Sequence, residues 1–142
     1  MNSVKEITIT IPSSTEFVGP VVKFFDALFG EKGIKEPATT NVTTSVIEAI
    51  GNAITHGNKG DISKTIGIFI TLRQKKMTIK VQDQGEGFDD SSLPDPLAPE
   101  NLLNLSGRGI FFMKSLMDRV EFKCNGNGST VIMEKTFQQS LE

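Results

Sequence analysis

Two short apolar runs with a period of two constrain this chain more than any other feature. Ile66, Ile68, Ile70 and Leu72 share one face of an extended segment, and Met77, Ile79 and Val81 share one face of the next. That period is the mark of a half-buried β-strand. Only Gln74-Lys75-Lys76 separates the two runs, a link short enough for an antiparallel hairpin. A hairpin with one apolar face needs a cover. Helices laid over that face give an α+β architecture.

The rest of the chain supplies the cover and more strands. Ile7, Ile9 and Ile11 alternate with Glu6, Thr8 and Thr10 until Pro12 stops the pattern. Ser13-Ser14-Thr15-Glu16 matches a capping box, which predicts a helix with the apolar face Phe17, Val21, Phe24, Phe25 and Leu28, ending at Gly30 and Gly33. A second helix is predicted from Thr39 or Thr40 to His56, closing at Gly57, a residue type that stops helices. A third is predicted from near Gly109 to Asp118. Two last strands, near Val120–Lys123 and Thr130–Thr136, flank the turn Asn125-Gly126-Asn127-Gly128. The expected fold is a two-layer α/β sandwich in one domain, residues 1–142. Its sheet is mostly antiparallel but mixed, with helices on one face.

Composition narrows the function classes. The 142 residues include ten Phe and are 37% hydrophobic, enough for one core. Fifteen basic residues against 17 acidic ones give a formal charge of −2. That balance lacks the basic footprint of a nucleic-acid binder. The single cysteine, Cys124, excludes an internal disulfide and alternates with Val120 and Phe122 as an ordinary sheet residue. With His56 the only histidine, a zinc site built on such ligands is not expected. No signal-peptide run or bilayer-length apolar stretch is present, so a cytoplasmic protein without a membrane partner is expected.

Three segments carry chemistry. On the second helix, Val46, Ile50, Ala53 and Ile54 are expected to face the core, with Ser45, Glu48, Asn52 and Thr55 on the opposite stripe. Glu48 and Asn52 are one turn apart, about 6 Å along the axis. No Lys or Arg lies between Glu36 and Asn58. A carboxylate and an amide without cations suit a metal ion with oxygen ligands; a plain amphipathic helix with a small polar face carries the same residues. Asp83-Gln84-Gly85-Glu86-Gly87 follows the strand ending near Val81. It is either a tight turn or a place where a ligand approaches backbone, with the aspartate accepting from an exocyclic amine. Ser106-Gly107-Arg108-Gly109 stands at the predicted start of the third helix, where free N–H groups and the positive dipole end attract anions.

In order and spacing, the three together resemble the GHKL ATPases, a superfamily that includes gyrase, Hsp90, MutL and histidine-kinase catalytic domains. Glu48-Ala49-Ile50-Gly51-Asn52-Ala53-Ile54-Thr55-His56-Gly57 resembles the N box. Asp83–Gly87 and Gly107–Gly109 resemble the two glycine boxes, and Gly128-Ser129-Thr130 the late Gly-x-Thr. The E-A-x-x-N-A-x-x-H-G form, the short length and the run Gly109–Asp118 are similar to the anti-sigma-factor serine kinases.

That resemblance implies a Bergerat-type ATP-binding fold with ATP and Mg²⁺ as cofactors. It implies that Asn52 holds Mg²⁺ and that Glu48 is the general base or orienting carboxylate. Asp83 would bind the adenine amino group, with Thr130 in support through water. Gly85 and Gly87 would let adenine lie against backbone. Gly107, Arg108 and Gly109 would contact phosphate, and residues 89–106 would form a lid over ATP. His56 is left without a role. The implied function is a serine/threonine protein kinase that phosphorylates a STAS-type anti-anti-sigma protein, sequesters a sigma factor and forms a homodimer. The alternative is a nucleotide-binding regulatory module without kinase activity.

Overall fold

A computed structural model describes residues 3–85 and 105–142, with backbone alone at 105–108 and at 125. Five strands form one sheet in the order β1-β2-β3-β5-β4. They are β1 (Val4–Pro12), β2 (Thr65–Arg73), β3 (Lys76–Gln82), β4 (Arg119–Asn125) and β5 (Gly128–Thr136). Every pairing among the described residues is antiparallel, so the parallel component of a mixed sheet is not found. The period-two reading of β2 and β3 holds residue by residue. Ile66, Ile68, Ile70, Leu72, Met77, Ile79 and Val81 are all buried. Intervening residues such as Phe69 and Lys80 are exposed, so the helices cover one face only.

That cover consists of α1 (Val18–Lys32), α2 (Ala38–Asn52) and α3 (Leu105–Leu116). Helix α2 lies between the other two and touches both. Its start is set by Glu36, whose carboxylate takes the Thr39 and Thr40 hydroxyls and the Thr40 N–H. The hydroxyls hold that carboxyl below its ordinary value. Val42, Val46, Ala49 and Ile50 then face the core at helical spacing.

Three local expectations are corrected. The capping box does not form: Thr15–Phe17 is a 3₁₀ turn, Ser14 makes no side-chain cap, and the buried Ser13 hydroxyl has no partner among the described residues. Packing of Phe17 against the core sets the chain entry instead. Helix α1 runs through Gly30 and ends at Gly33, whose φ of 69° permits the left-handed turn. Just before Gly30, Phe29 is buried against Phe137, with ring centroids 6.0 Å apart. Finally, α3 begins at Leu105 rather than near Gly109.

The open face of the sheet carries an ion-pair chain. Glu134 meets Lys76 at 3.2 Å and Arg119 at 2.9 Å, and Arg119 also pairs with Glu121. A cavity of about 490 Å³ borders these residues, on the face that the helices leave uncovered. Among the described residues no helix is long and apolar enough to cross a membrane.

Candidate functional site

The predicted N-box helix changes character at its end. After Asn52 the chain widens into a π-helical turn, Ala53–Gly57, closed by the Asn58 N–H donating to the Ala53 carbonyl at 2.8 Å. Single π turns inside helices often mark functional positions. Glu48 and Asn52 are half-buried on the last turns of α2, and Thr55 and His56 are exposed. Ser45 does not join their stripe. It is fully buried and donates to the Asn41 carbonyl at 2.9 Å, a bond that makes a hydroxyl tolerable inside a helix.

Glu48 lies against α3. A Cβ placed on Gly109 would overlap the Glu48 Oε1 atom and come within 2.8 Å of Cδ. Only glycine allows the two helices this approach with the carboxylate between them. Because α3 starts at Leu105, Gly107 and Arg108 fall in its first turn, where N–H groups lack intrahelical partners. The Gly109 N–H is in register to bond the Leu105 carbonyl. What the structure shows at Gly109 is clearance for the Glu48 carboxylate. The Arg108 side chain, Gly87 and residues 89–104 of the predicted lid lie outside the described residues.

Asp83 anchors the second half of the site. It is 5% exposed. The Gly85 N–H and the Ser129 N–H both donate to its Oδ1, at 2.9 and 3.0 Å. No ion pair reaches it among the described residues. Oδ2 lies against Gly57, where a Cβ would overlap it. Gly85 in turn sits on the Gly57 carbonyl, and Gly128, with φ at 141°, on the Asp83 carbonyl. Three glycines thus bring three backbone segments around one carboxylate.

Strand register decides which late hydroxyl reaches this cluster. Thr130 pairs with Gln82 and Val131 with Val81. Ser129, Val131 and Met133 are the buried positions, so the pleat turns Thr130 to the open face with Ile132 and Glu134. Ser129 is the hydroxyl residue on Asp83's side. The predicted placement of Thr130 beside the adenine acceptor is corrected to Ser129. Residue types alone do not separate adjacent Ser and Thr; strand parity does.

Asn58 is the residue that sequence reading missed. It is 1% exposed. Its Oδ1 accepts from the Gln84 N–H at 2.8 Å, and its Nδ2 donates to the Thr65 carbonyl at 3.1 Å. The Thr65 N–H donates to Gln84 Oε1 at 2.8 Å. Nothing local announces this, since an Asn after a helix-stopping Gly reads as an ordinary turn residue.

Among the described residues no group of three or more His, Cys, Asp or Glu could hold a metal ion. A cage made of protein alone is therefore not present there. The Asn52 amide, on a helix without Lys or Arg, fits a single oxygen ligand to an ion whose other positions go to phosphate and water.

The geometry agrees with what the comparisons give. Residues 11–135 match the histidine kinase-like ATPase domain family. The serine-protein kinase RsbW of Bacillus velezensis is 31% identical over 143 residues, covering 94% of this chain and 86% of that protein. That of Halalkalibacterium halodurans is 30% identical, covering 94% and 84%. In fold, the chain is similar to the crystal structure of the RsbU and RsbW domains of a Mycobacterium tuberculosis protein. The TM-score is 0.65 at 13% identity, over 96% of this chain and 33% of that one. With an N-box helix, a caged aspartate and a glycine-lined helix contact in one site, the chain belongs to the histidine kinase-like ATPase family and, within it, to the RsbW serine-protein kinases.

Proposed function

We propose that the chain transfers the γ-phosphate of ATP to a serine or threonine of a small STAS-type anti-anti-sigma protein and sequesters a sigma factor. One observation carries the reading: the Glu48 carboxylate is held between α2 and α3 by its contact with Gly109. It stands beside the first turn of α3, whose free amides and positive dipole end favour phosphate. A hydroxyl arriving there meets its base and its electrophile together.

In this reading the Asp83 carboxylate accepts the adenine amino group through Oδ2, the oxygen that Gly85 and Ser129 leave free. Gly85 keeps the turn clear for the base. The amides of Gly107 and Arg108 take phosphate oxygens. Glu48 orients the attacking hydroxyl and accepts its proton as the new O–P bond forms and the bond to ADP breaks. Mg²⁺, held in part by Asn52, would supply neutralisation of the phosphate charge. Phosphoryl transfer needs mainly positioning and such electrostatic help.

The test mixes the protein with Mg-ATP and a purified anti-anti-sigma domain encoded beside it, and follows phosphate on the partner. Glu48→Ala is expected to lower transfer by about 100-fold or more, the usual worth of a positioned base, while nucleotide binding persists. Normal transfer by that variant removes Glu48 from the role. No transfer by the unaltered protein to any such partner removes the kinase reading.

A further inference from the structure

We propose that Asn58, with Gln84, is a positioning residue for adenine recognition, an inference that rests on the reading of Asp83 as the adenine acceptor. The β2–β3 ladder runs from Arg73 opposite Lys76 to Gly67 opposite Gln82. Two residues further along each strand, the same register would set Thr65 opposite Gln84. The two backbones do not pair there. Thr65 gives its N–H to the Gln84 side chain and its carbonyl to the Asn58 side chain, while Gln84 gives its N–H to Asn58 Oδ1. The Asn58 carboxamide has one acceptor and a donor, as a peptide unit has. It is inserted between the strand ends as a spare peptide unit, and the three bonds close a ring.

This ring splays the chain at the point where Asp83 and Gly85 must leave the sheet. It also ties the turn to the π-helical segment, because the Asn58 N–H is the bond that closes that segment on Ala53. The clearances there leave no slack: Gly85 rests on the Gly57 carbonyl, and Gly57 on the Asp83 carboxylate. A slip of the turn relative to Gly57 therefore moves Oδ2 directly. Asn58 is buried and Gln84 is exposed, and neither is assigned a contact with ATP. Glu48 and α3 lie outside the ring, so its loss falls on recognition of the base rather than on the transfer step.

The experiment compares ATP with inosine triphosphate, which lacks the exocyclic amine, by titration calorimetry and by steady-state transfer. Unaltered protein is expected to prefer ATP by about tenfold or more, the value of one hydrogen bond to a charged group. Asn58→Asp keeps the acceptor but cannot donate to Thr65, and Gln84→Ala removes only the Thr65 bond. Each is expected to raise the KM for ATP and shrink the ATP preference by about fivefold, with kcat at saturating ATP kept within about twofold. General destabilisation weakens both nucleotides alike and leaves the ratio unchanged. If the unaltered protein shows no preference, the Asp83 reading fails. If it shows one and folded Gln84→Ala and Asn58→Asp keep the same ratio, the positioning role is overturned. Should Asn58→Asp fail to fold, the ratio for Gln84→Ala decides the matter alone.

Discussion

Replacing Gly109 by alanine separates stability from catalysis in a single methyl group. Gly109 is the fifth residue of α3, inside the helix and buried. Alanine there gains about 1 kcal/mol of helix propensity over glycine. The new Cβ would overlap Glu48 Oε1 and lie 2.8 Å from Cδ, against ordinary contact at 3.4 Å or more. The Cδ atom has to retreat by about 0.6 Å, the difference of those two distances, and the carboxylate tip by more. A side chain pushed off its rotamer costs about 0.5–1.5 kcal/mol. The two effects nearly cancel, so the unfolding free energy is expected within about 1 kcal/mol of the parent.

Transfer is not protected by that cancellation, because a displacement near 1 Å at a reacting group costs about 100-fold. ATP affinity, anchored at Asp83, is expected to change by less than about threefold, or roughly 0.6 kcal/mol. The assay pairs urea denaturation with single-turnover phosphate transfer. Adding Gly109→Ala to Glu48→Ala is expected to cost no further transfer, since both act through one carboxylate. Transfer at the parent rate by a folded Gly109→Ala protein, with ATP bound, would refute the placement of Glu48 at the reacting hydroxyl.

Two further outcomes follow from other parts of the fold. Gly57→Ala drives a Cβ into the Asp83 side chain close to its own Cβ, 2.8 Å away. No flexible tip can yield there, so calorimetry is expected to show ATP affinity reduced about tenfold or more, with about 1–3 kcal/mol of destabilisation from overpacking. Unchanged affinity would take Asp83 out of the adenine site. Glu134 is held below its ordinary 4.5, first by Lys76 and then by Arg119. A depressed folded value means its stabilising share is whole above 4.5 and is lost as pH falls through the lowered value. Chemical denaturation of Glu134→Gln is expected to show a deficit of less than about 1 kcal/mol at pH 7 that closes in acid. A deficit that widens on acidification would show that the ion pairs are not its source.

Much of this protein is written in local pattern. The alternation in β2 and β3 marks the buried face, because a strand's pleat has a period of two whatever it packs against. Glu48 and Asn52 share a helix stripe for the same kind of reason, since helical rotation is fixed by the backbone. The order of Glu48, Asn52, Asp83 and Gly109 was enough to point to the histidine kinase-like ATPase family, to which the chain belongs.

What the pattern leaves open is settled by contacts between distant segments. Ser129 rather than Thr130 faces Asp83 because of the β3–β5 register, which neither strand encodes alone. Gly109 proved to be clearance for Glu48, and Ser45 a core residue, only once α3 lay against α2. Phe137 and Leu141 enter the core because the tail returns to the β2–β3 turn, where their N–H groups donate to the Lys75 and Gln74 carbonyls at 2.8 and 2.6 Å. Asn58 is the clearest case. An amide side chain can cap, turn or bridge with similar ease. The splayed ends of two strands, 7 and 26 residues further along the chain, are what turn it into a bridge. The sequence determined which segments could be strand, helix and site, because those properties depend on neighbours in the chain. The tertiary structure decided which atoms meet, because that depends on register and clearance between segments far apart in it.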